Sequence, residues 1–372
     1  MDPARPSGPL AGVRVVEVGG IGPGPFAAMM LSDLGADVVR VDRPGEDLRA
    51  THGVLLRGRR SVVVDLKSEE GRSVVLGLLD RSDILIEGFR PGVAERLGFG
   101  PDVALQRNPR IVYGRMTGWG QDGPYAALAG HDITYLAVAG VLDAFAGPDG
   151  RPVPPLNLLG DFGGGGMLLA LGVVAALWHA RESGQGQVVD AAIVDGVGAM
   201  TAMHQSMLGS GMWSEGRGAN LFDGGAPFYR CYRTSDDRWV AVGAIEPAFY
   251  ARFLAGLGLD GAAVGADQMD SASWPRVAGL VADRFAAHSL AHWVDVFADL
   301  DACVAPVLTA HEARSDAHLT ARQAYAVVPG SPGMVQPAPA PRFSVTPATA
   351  GHPAVPPGRH TDEIVAELRA AR

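Results

Sequence analysis

Short apolar runs alternate with helix-patterned stretches through the first third of this chain, and that alternation restricts the fold more than any other feature. The runs at 13–18, 37–42, 61–66, 84–87 and 111–116 are rich in valine, isoleucine and leucine, with helical stretches at 26–34 and 69–79 between them. Strands apolar on both faces need cover on both faces. Strand–helix alternation of this kind predicts an α/β fold, a Rossmann-like parallel sheet wound with helices on both sides. A long helix is expected from about 162 to 181 and another from about 189 to 208. Residues 209–226 are glycine-rich and read as a connecting segment. A hairpin at 228–233 and 238–244, followed by helical stretches at 247–257, 274–287 and 290–300, predicts a smaller α+β domain. Residues 329–358 are proline-rich and read as an extended return, closed by a short helix at 361–371 with Thr361 as N-cap. The expected domains are 1–190 with 328–372, a linker helix and loop at 191–225, and a small domain at 226–327.

The net charge is −9, so the chain lacks the basic excess that a general nucleic-acid binder uses to neutralise phosphates. Cys231 and Cys303 are the only cysteines, too few for a disulfide framework or a conventional zinc site, and a reducing cytoplasm is the expected location. Residues 1–12 contain three prolines and no apolar run, so no secretory leader is expected there. The longest apolar stretch, 167–176, is too short to span a bilayer and reads as a buried helix. No histidine spacing suits a metal; His288 and His292 stand four apart but lack an evident acidic third ligand.

Two glycine-rich segments invite a chemical reading. Gly22, Gly24 and Ala27 match a dinucleotide-binding spacing, and Asp42 ends the next strand where a ribose-binding acid would stand. Pro23 and Pro25 argue against it, because they delete backbone N–H groups from the turn that would cradle a pyrophosphate. Asp161 precedes four glycines, Gly163 to Gly166, at the start of the long helix. Backbone there can approach a ligand closely. Taken alone, Asp161 suits an ordinary N-cap as well as a reactive carboxylate, and His131 suits a cap or a core histidine.

Several segments, kept in order along nearly the whole chain, carry a resemblance. They include Leu10-Ala11-Gly12-Val13-Arg14-Val15-Val16-Glu17, Leu34-Gly35-Ala36-Asp37 and Asp65-Leu66-Lys67-Ser68. Further on stand Glu87-Gly88-Phe89-Arg90-Pro91-Gly92, Arg96-Leu97-Gly98, Thr117-Gly118-Trp119-Gly120, Gly130-His131-Asp132, Asn157-Leu158-Leu159-Gly160-Asp161-Phe162-Gly163 and Gly243-Ala244-Ile245-Glu246. Together they resemble the class III CoA transferases, the CaiB-BaiF family. The Gly-His-Asp at His131 resembles its racemase branch more closely than its transferase branch.

The resemblance implies inversion of the α-carbon of 2-methylacyl-CoA thioesters, with His131 and Asp161 as the two proton-transfer groups. It implies a role in fatty-acid metabolism and no cofactor, the CoA being part of the substrate. Glu246 is expected to orient His131 from the second subunit of an interlocked homodimer. Asn157 is expected to hold Asp161, and backbone near Asp132 to meet the enolate oxygen. Arg43, Lys67, Arg90 and Arg96 are expected on the CoA phosphates. Val64, Asp65, Leu66, Gly88, Phe89, Gly130 and Tyr135 are expected as walls of the CoA site. Met200, Met203, Met207 and Met212 are candidates for an adaptable acyl surface. The alternatives are a CoA transferase with Asp161 as nucleophile and a silent CoA-binding protein.

Overall fold

The computed structural model describes residues 8–147, 150–331 and 333–370. Parts of three expectations lie outside these residues: the first seven positions of the N-terminal stretch, Pro332 of the return segment, and the end of the last helix. The chain forms two compact units. The larger runs from the start of the described chain to Ala139, with Pro155–Thr201 and His318 onward; the smaller comprises Gly140–Pro154 and Ala202–Ala317.

The larger unit is built on six parallel strands, β1 (Arg14–Val18), β2 (Asp37–Asp42), β3 (Arg59–Val63), β4 (Ile84–Glu87), β5 (Val112–Thr117) and β6 (Gln187–Ala192). Their spatial order is β3-β2-β1-β4-β5-β6. Val16, Val39 and Leu85 stand side by side and face one helical layer, and Val15, Val38 and Ile84, one residue earlier in each strand, face the other. One layer closes Val18, Val39, Leu85 and Tyr113 against Val75 and Leu79 of a helix spanning Glu69–Leu79. Ser68 starts that helix by accepting from the Gly71 N–H at 3.0 Å. The strand order reverses between β1 and β4, which opens a crevice at the carboxyl ends of those strands.

Four sequence expectations need correction. The span expected as a helix from 189 opens instead with β6, which pairs with β5 in parallel. It is an edge strand, exposed at half of its positions and fully buried at one, so it lacks the apolar run expected of a strand covered on both faces. The helix expected from 162 starts earlier and in a wider winding: Leu158–Met167 is π-helical and continues into a regular α-helix, Leu168–Ser183. That helix is not buried all round. Leu169, Val173 and Leu177 face the sheet, while Leu171 is 65% and Trp178 70% exposed. Its continuous length, Leu158–Ser183, also exceeds the short stretch read from the sequence and is long and apolar enough to cross a membrane. Finally, the span expected as linker divides: the helix Ile193–Met200 packs in the larger unit, and the smaller unit also takes residues 140–154.

The opposite edge of the sheet, β3, is covered by the end of the chain. Ser61 N–H donates to His360 Nδ1 and Val63 N–H to Thr361 Oγ1, each at 3.1 Å. Arg57 is buried, paired with Asp33 at 2.5 Å, and donates to Gln336 Oε1 and the Pro337 carbonyl.

The smaller unit centres on an antiparallel sheet, β7 (Tyr229–Arg233), β8 (Trp239–Gly243) and β9 (Val304–Pro306). Its core is aromatic, with Phe228, Phe253, Phe285 and Trp293 from the hairpin entry and three helices. Both cysteines are exposed and free.

Candidate active site

Three loops leave the carboxyl ends of β1, β4 and β5, and glycine lets them converge. A Cβ on Gly19 would lie 2.8 Å from the Phe89 ring, and one on Gly88 would meet the Gly20 backbone at 3.2 Å. The Glu87 carboxylate, buried and paired with Arg115 at 2.9 Å, accepts from the Phe89 N–H at 2.7 Å. It thereby fixes the turn that presents Arg90. After β5, Tyr135 packs edge-on against Trp119 at 4.8 Å between centroids. Gly118 and Gly130 have no alternative residue here, since a Cβ at either would fall within 2.5 Å of the Tyr135 ring.

These loops enclose a cavity of about 490 Å³. Gly88, Phe89, Arg90, Gly130, His131, Tyr135, Asn157 and Asp161 of the expected site residues all line it. His131 sits at the N-cap position of a helix spanning Asp132–Val138. Its backbone is fixed there by Thr134, whose Oγ1 accepts from the His131 N–H at 3.0 Å and donates to the His131 carbonyl at 2.7 Å. The backbone role of a cap and a side chain facing the cavity are thus compatible.

Asp161 reaches the same cavity from the π-helical stretch. Asn157 Nδ2 donates to Asp161 Oδ2 at 3.3 Å. Asp161's own N–H donates to Asp132 Oδ2 at 2.7 Å. Burial pushes the Asp161 proton affinity above the ordinary aspartate value, and the negative charge of Asp132 adds to it. The Asn157 hydrogen bond and His131 oppose that shift. Burial and the nearby Asp161 charge also hold the Tyr135 hydroxyl in its protonated form.

An adjoining cavity of about 280 Å³ shares Gly20, Ile21, Gly88 and Phe89 with the first and adds Arg43. Asp42, the acid of the dinucleotide reading, is not available to a ribose: Arg40 binds both its oxygens and Ser61 donates to it as well. Pro23 begins the first helix, Pro23–Asp33, and Arg59, itself buried, donates to the Pro25 carbonyl. The proline-bearing turn is therefore a packed strand-to-helix junction.

Other expected residues are not brought to either cavity. Val64 and Leu66 pack against the sheet core, Asp65 accepts from the Lys67 N–H at 2.9 Å, and Lys67 is exposed. Arg96 lies on the short helix Val93–Leu97 outside both linings. Asp132 is 7% exposed and lies behind the wall. Glu246 belongs to the smaller unit, at the N-cap of the helix Pro247–Gly256. Of the methionines, Met200 reaches the Gly163 position, Met207 is buried, and Met203 and Met212 are exposed in the smaller unit. Sequence reasoning missed His52, Met116, Thr117, Trp119 and Ile193 in the lining. The signal for Met116 and Thr117 was present: they end a strand beside the reversal of strand order, where open α/β sheets bind ligands.

The sequence pattern of CoA-transferase family III matches residues 10–361. The mouse alpha-methylacyl-CoA racemase is 45% identical over 359 residues, covering 96% of this chain and 93% of that protein. The human alpha-methylacyl-CoA racemase is 44% identical over 364 residues, covering 98% and 94%. Among solved structures, a CAIB/BAIF family protein from Brucella suis aligns with a TM-score of 0.83 at 25% identity, covering 97% of this chain and 100% of that one. With the six-stranded parallel sheet and a site assembled at its strand reversal, these likenesses establish that the chain belongs to CoA-transferase family III.

Proposed function

We propose that this protein is an isomerase that inverts the α-carbon of 2-methylacyl-CoA thioesters by proton transfer between two bases. The observation that carries the reading is a single cavity lined by both His131 and Asp161, with burial raising the proton affinity of the aspartate. In one direction neutral His131 removes the α-proton, charge passes to the thioester oxygen as an enolate, and protonated Asp161 returns a proton to the opposite face. In the other direction ionised Asp161 takes the proton and the His131 imidazolium returns it. Backbone N–H groups at the start of the Asp132–Val138 helix are the donors to the enolate oxygen. Arg90 and Arg43 receive the CoA phosphates, a pairing suited to the guanidinium fork, with Lys67 and Arg96 as outer charges. A transferase would use Asp161 as a carboxylate nucleophile and has no need of His131 as a second base.

The protein acts in the cytoplasm as a homodimer in this reading. The exposed apolar face carrying Met167, Leu171 and Trp178 packs on the second copy, not on lipid. Glu246 of the second copy orients His131 through its other ring nitrogen.

The test is α-proton exchange. (R)-2-methylacyl-CoA is incubated with protein in D2O without an acceptor acid, and the α-hydrogen is followed by NMR. Deuterium uptake with loss of chirality is expected, with a fall of roughly 10²–10⁴-fold in H131A. No exchange, with CoA moving instead to an added carboxylate, overturns the racemase reading in favour of the transferase.

A further inference from the structure

We infer that the Asp132 side chain is a positioning residue of this site: its carboxylate takes the backbone N–H that π winding leaves open at Asp161, and so fixes both the place and the charge state of the Asp161 carboxyl. The inference rests on the two-base reading and assigns the side chain a task distinct from that of the backbone beside it.

The geometry begins with the winding. In an α-helix capped at Asn157, the Asn157 carbonyl would accept from the N–H four residues on, that of Asp161. In the observed π-helical stretch the spacing is five, so that N–H has no helical partner. Asp132 Oδ2 supplies one at 2.7 Å. The fit is tight: a Cβ on Gly160 would stand 2.4 Å from that oxygen, so Gly160 is required for the two segments to meet.

The second oxygen carries the argument beyond capping. Asp132 Oδ1 is buried and has no hydrogen-bond partner among the described residues. A buried carboxylate held by one hydrogen bond is costly. A neutral asparagine would fill the same cap without that cost. What the charge adds is its effect on Asp161, whose hold on a proton it strengthens. The other groups facing Asp161 are few. His131 acts on it from the helix start and Asn157 from its own turn. Tyr135 feels the Asp161 charge, with Arg90 behind it. The helices Pro23–Asp33 and Ile193–Met200, which also pack on the π stretch, present Pro23, Phe26, Ile193 and Val197 to it. Asp132 is therefore the one anionic neighbour among the groups acting on Asp161.

The test uses the full-length protein and two substitutions. D132N keeps an oxygen to accept the Asp161 N–H and removes the charge; D132A removes both. Wild-type exchange in D2O is measured first across pH, and its absence would defeat the racemase reading instead of this one. With exchange present, and with the substrate enantiomer whose α-proton ionised Asp161 removes, the acidic limb of the kcat/KM profile in D132N is expected at lower pH than in wild type, because only the repulsion is lost. D132A is expected to lose exchange about a hundredfold, with D132N restoring most of it. An acidic limb unmoved in D132N overturns the proposed control of charge. A measurement on the unaltered protein covers the case in which D132N does not fold: the Asp161 amide, followed by hydrogen exchange after selective 15N-aspartate labelling, is expected to be protected. An Asp161 amide exchanging as fast as open loop amides overturns the clamp.

Discussion

The turn at residues 19–24 and the run at residues 160–166 both bring glycines to the start of a helix beside the same cavity, yet the glycines serve different needs. In the first, Gly19, Gly20 and Gly22 have positive φ, with Gly22 at 72° as it caps the Pro23–Asp33 helix. That backbone region is costly for residues bearing a Cβ. In the second no glycine has positive φ; the constraint is space. A Cβ on Gly164 would stand 2.8 Å from Val197, and one on Gly166 would stand 2.7 Å from the Pro23 carbonyl. Glycine in the turn bends the chain, and glycine in the run lets three segments touch.

The contrast can be broken at its strongest point by G196A. Gly196 is the partner surface of the run, and its Cβ would fall 1.8 Å from the Gly164 carbonyl oxygen, which no side-chain rotation relieves. A loss of roughly 3 kcal/mol or more is expected in urea unfolding, with the exchange activity lost alongside. A smaller effect is expected from G22A, about 1–2 kcal/mol, since the strain there is conformational. Its Cβ would also approach Asp161 Oδ2 at 3.2 Å, so kcat should fall more than KM rises. The least effect, and the opposite sign, is expected at Gly24, which has negative φ and open space where a Cβ would stand. G24A should gain ~0.5–1 kcal/mol in thermal unfolding through reduced backbone freedom. If G24A costs as much as G22A, position along the turn, and not φ, governs these glycines.

Much of the larger fold was legible because burial on both faces writes apolar runs directly into the first five strands. β6 was not, since an edge strand facing outward has no such run. The hairpin of the smaller unit was legible from its turn residues, Ser235 to Asp237. The π winding was illegible: the pattern of Leu158–Met167 does not distinguish hydrogen bonds spaced four apart from five. The site was legible only in part. His131 and Asp161 each admit a bland local reading, and their convergence depends on a fold that brings residues thirty positions apart to one cavity. The resemblance supplied that convergence. It did not supply the lining by His52 and Trp119, which follows from loop packing. Nor does charge type alone place Lys67 and Arg96, which lie outside both cavities.

Arg57 and β3 carry a consequence for the order in which the protein can be made. The Arg57 guanidinium reaches partners 279 and 280 residues further along, and the open edge of β3 is completed only by His360 and Thr361. On a ribosome, the sheet emerges long before the segment that finishes it, because most of the smaller unit, Ala202–Ala317, lies between them in sequence. The larger unit therefore completes its edge only once residues 336–361 have been made, with a high sequence separation that slows folding. Until then it exposes an unpaired strand edge of the sort that recruits other chains, and a chain truncated before residue 360 would leave that state permanent.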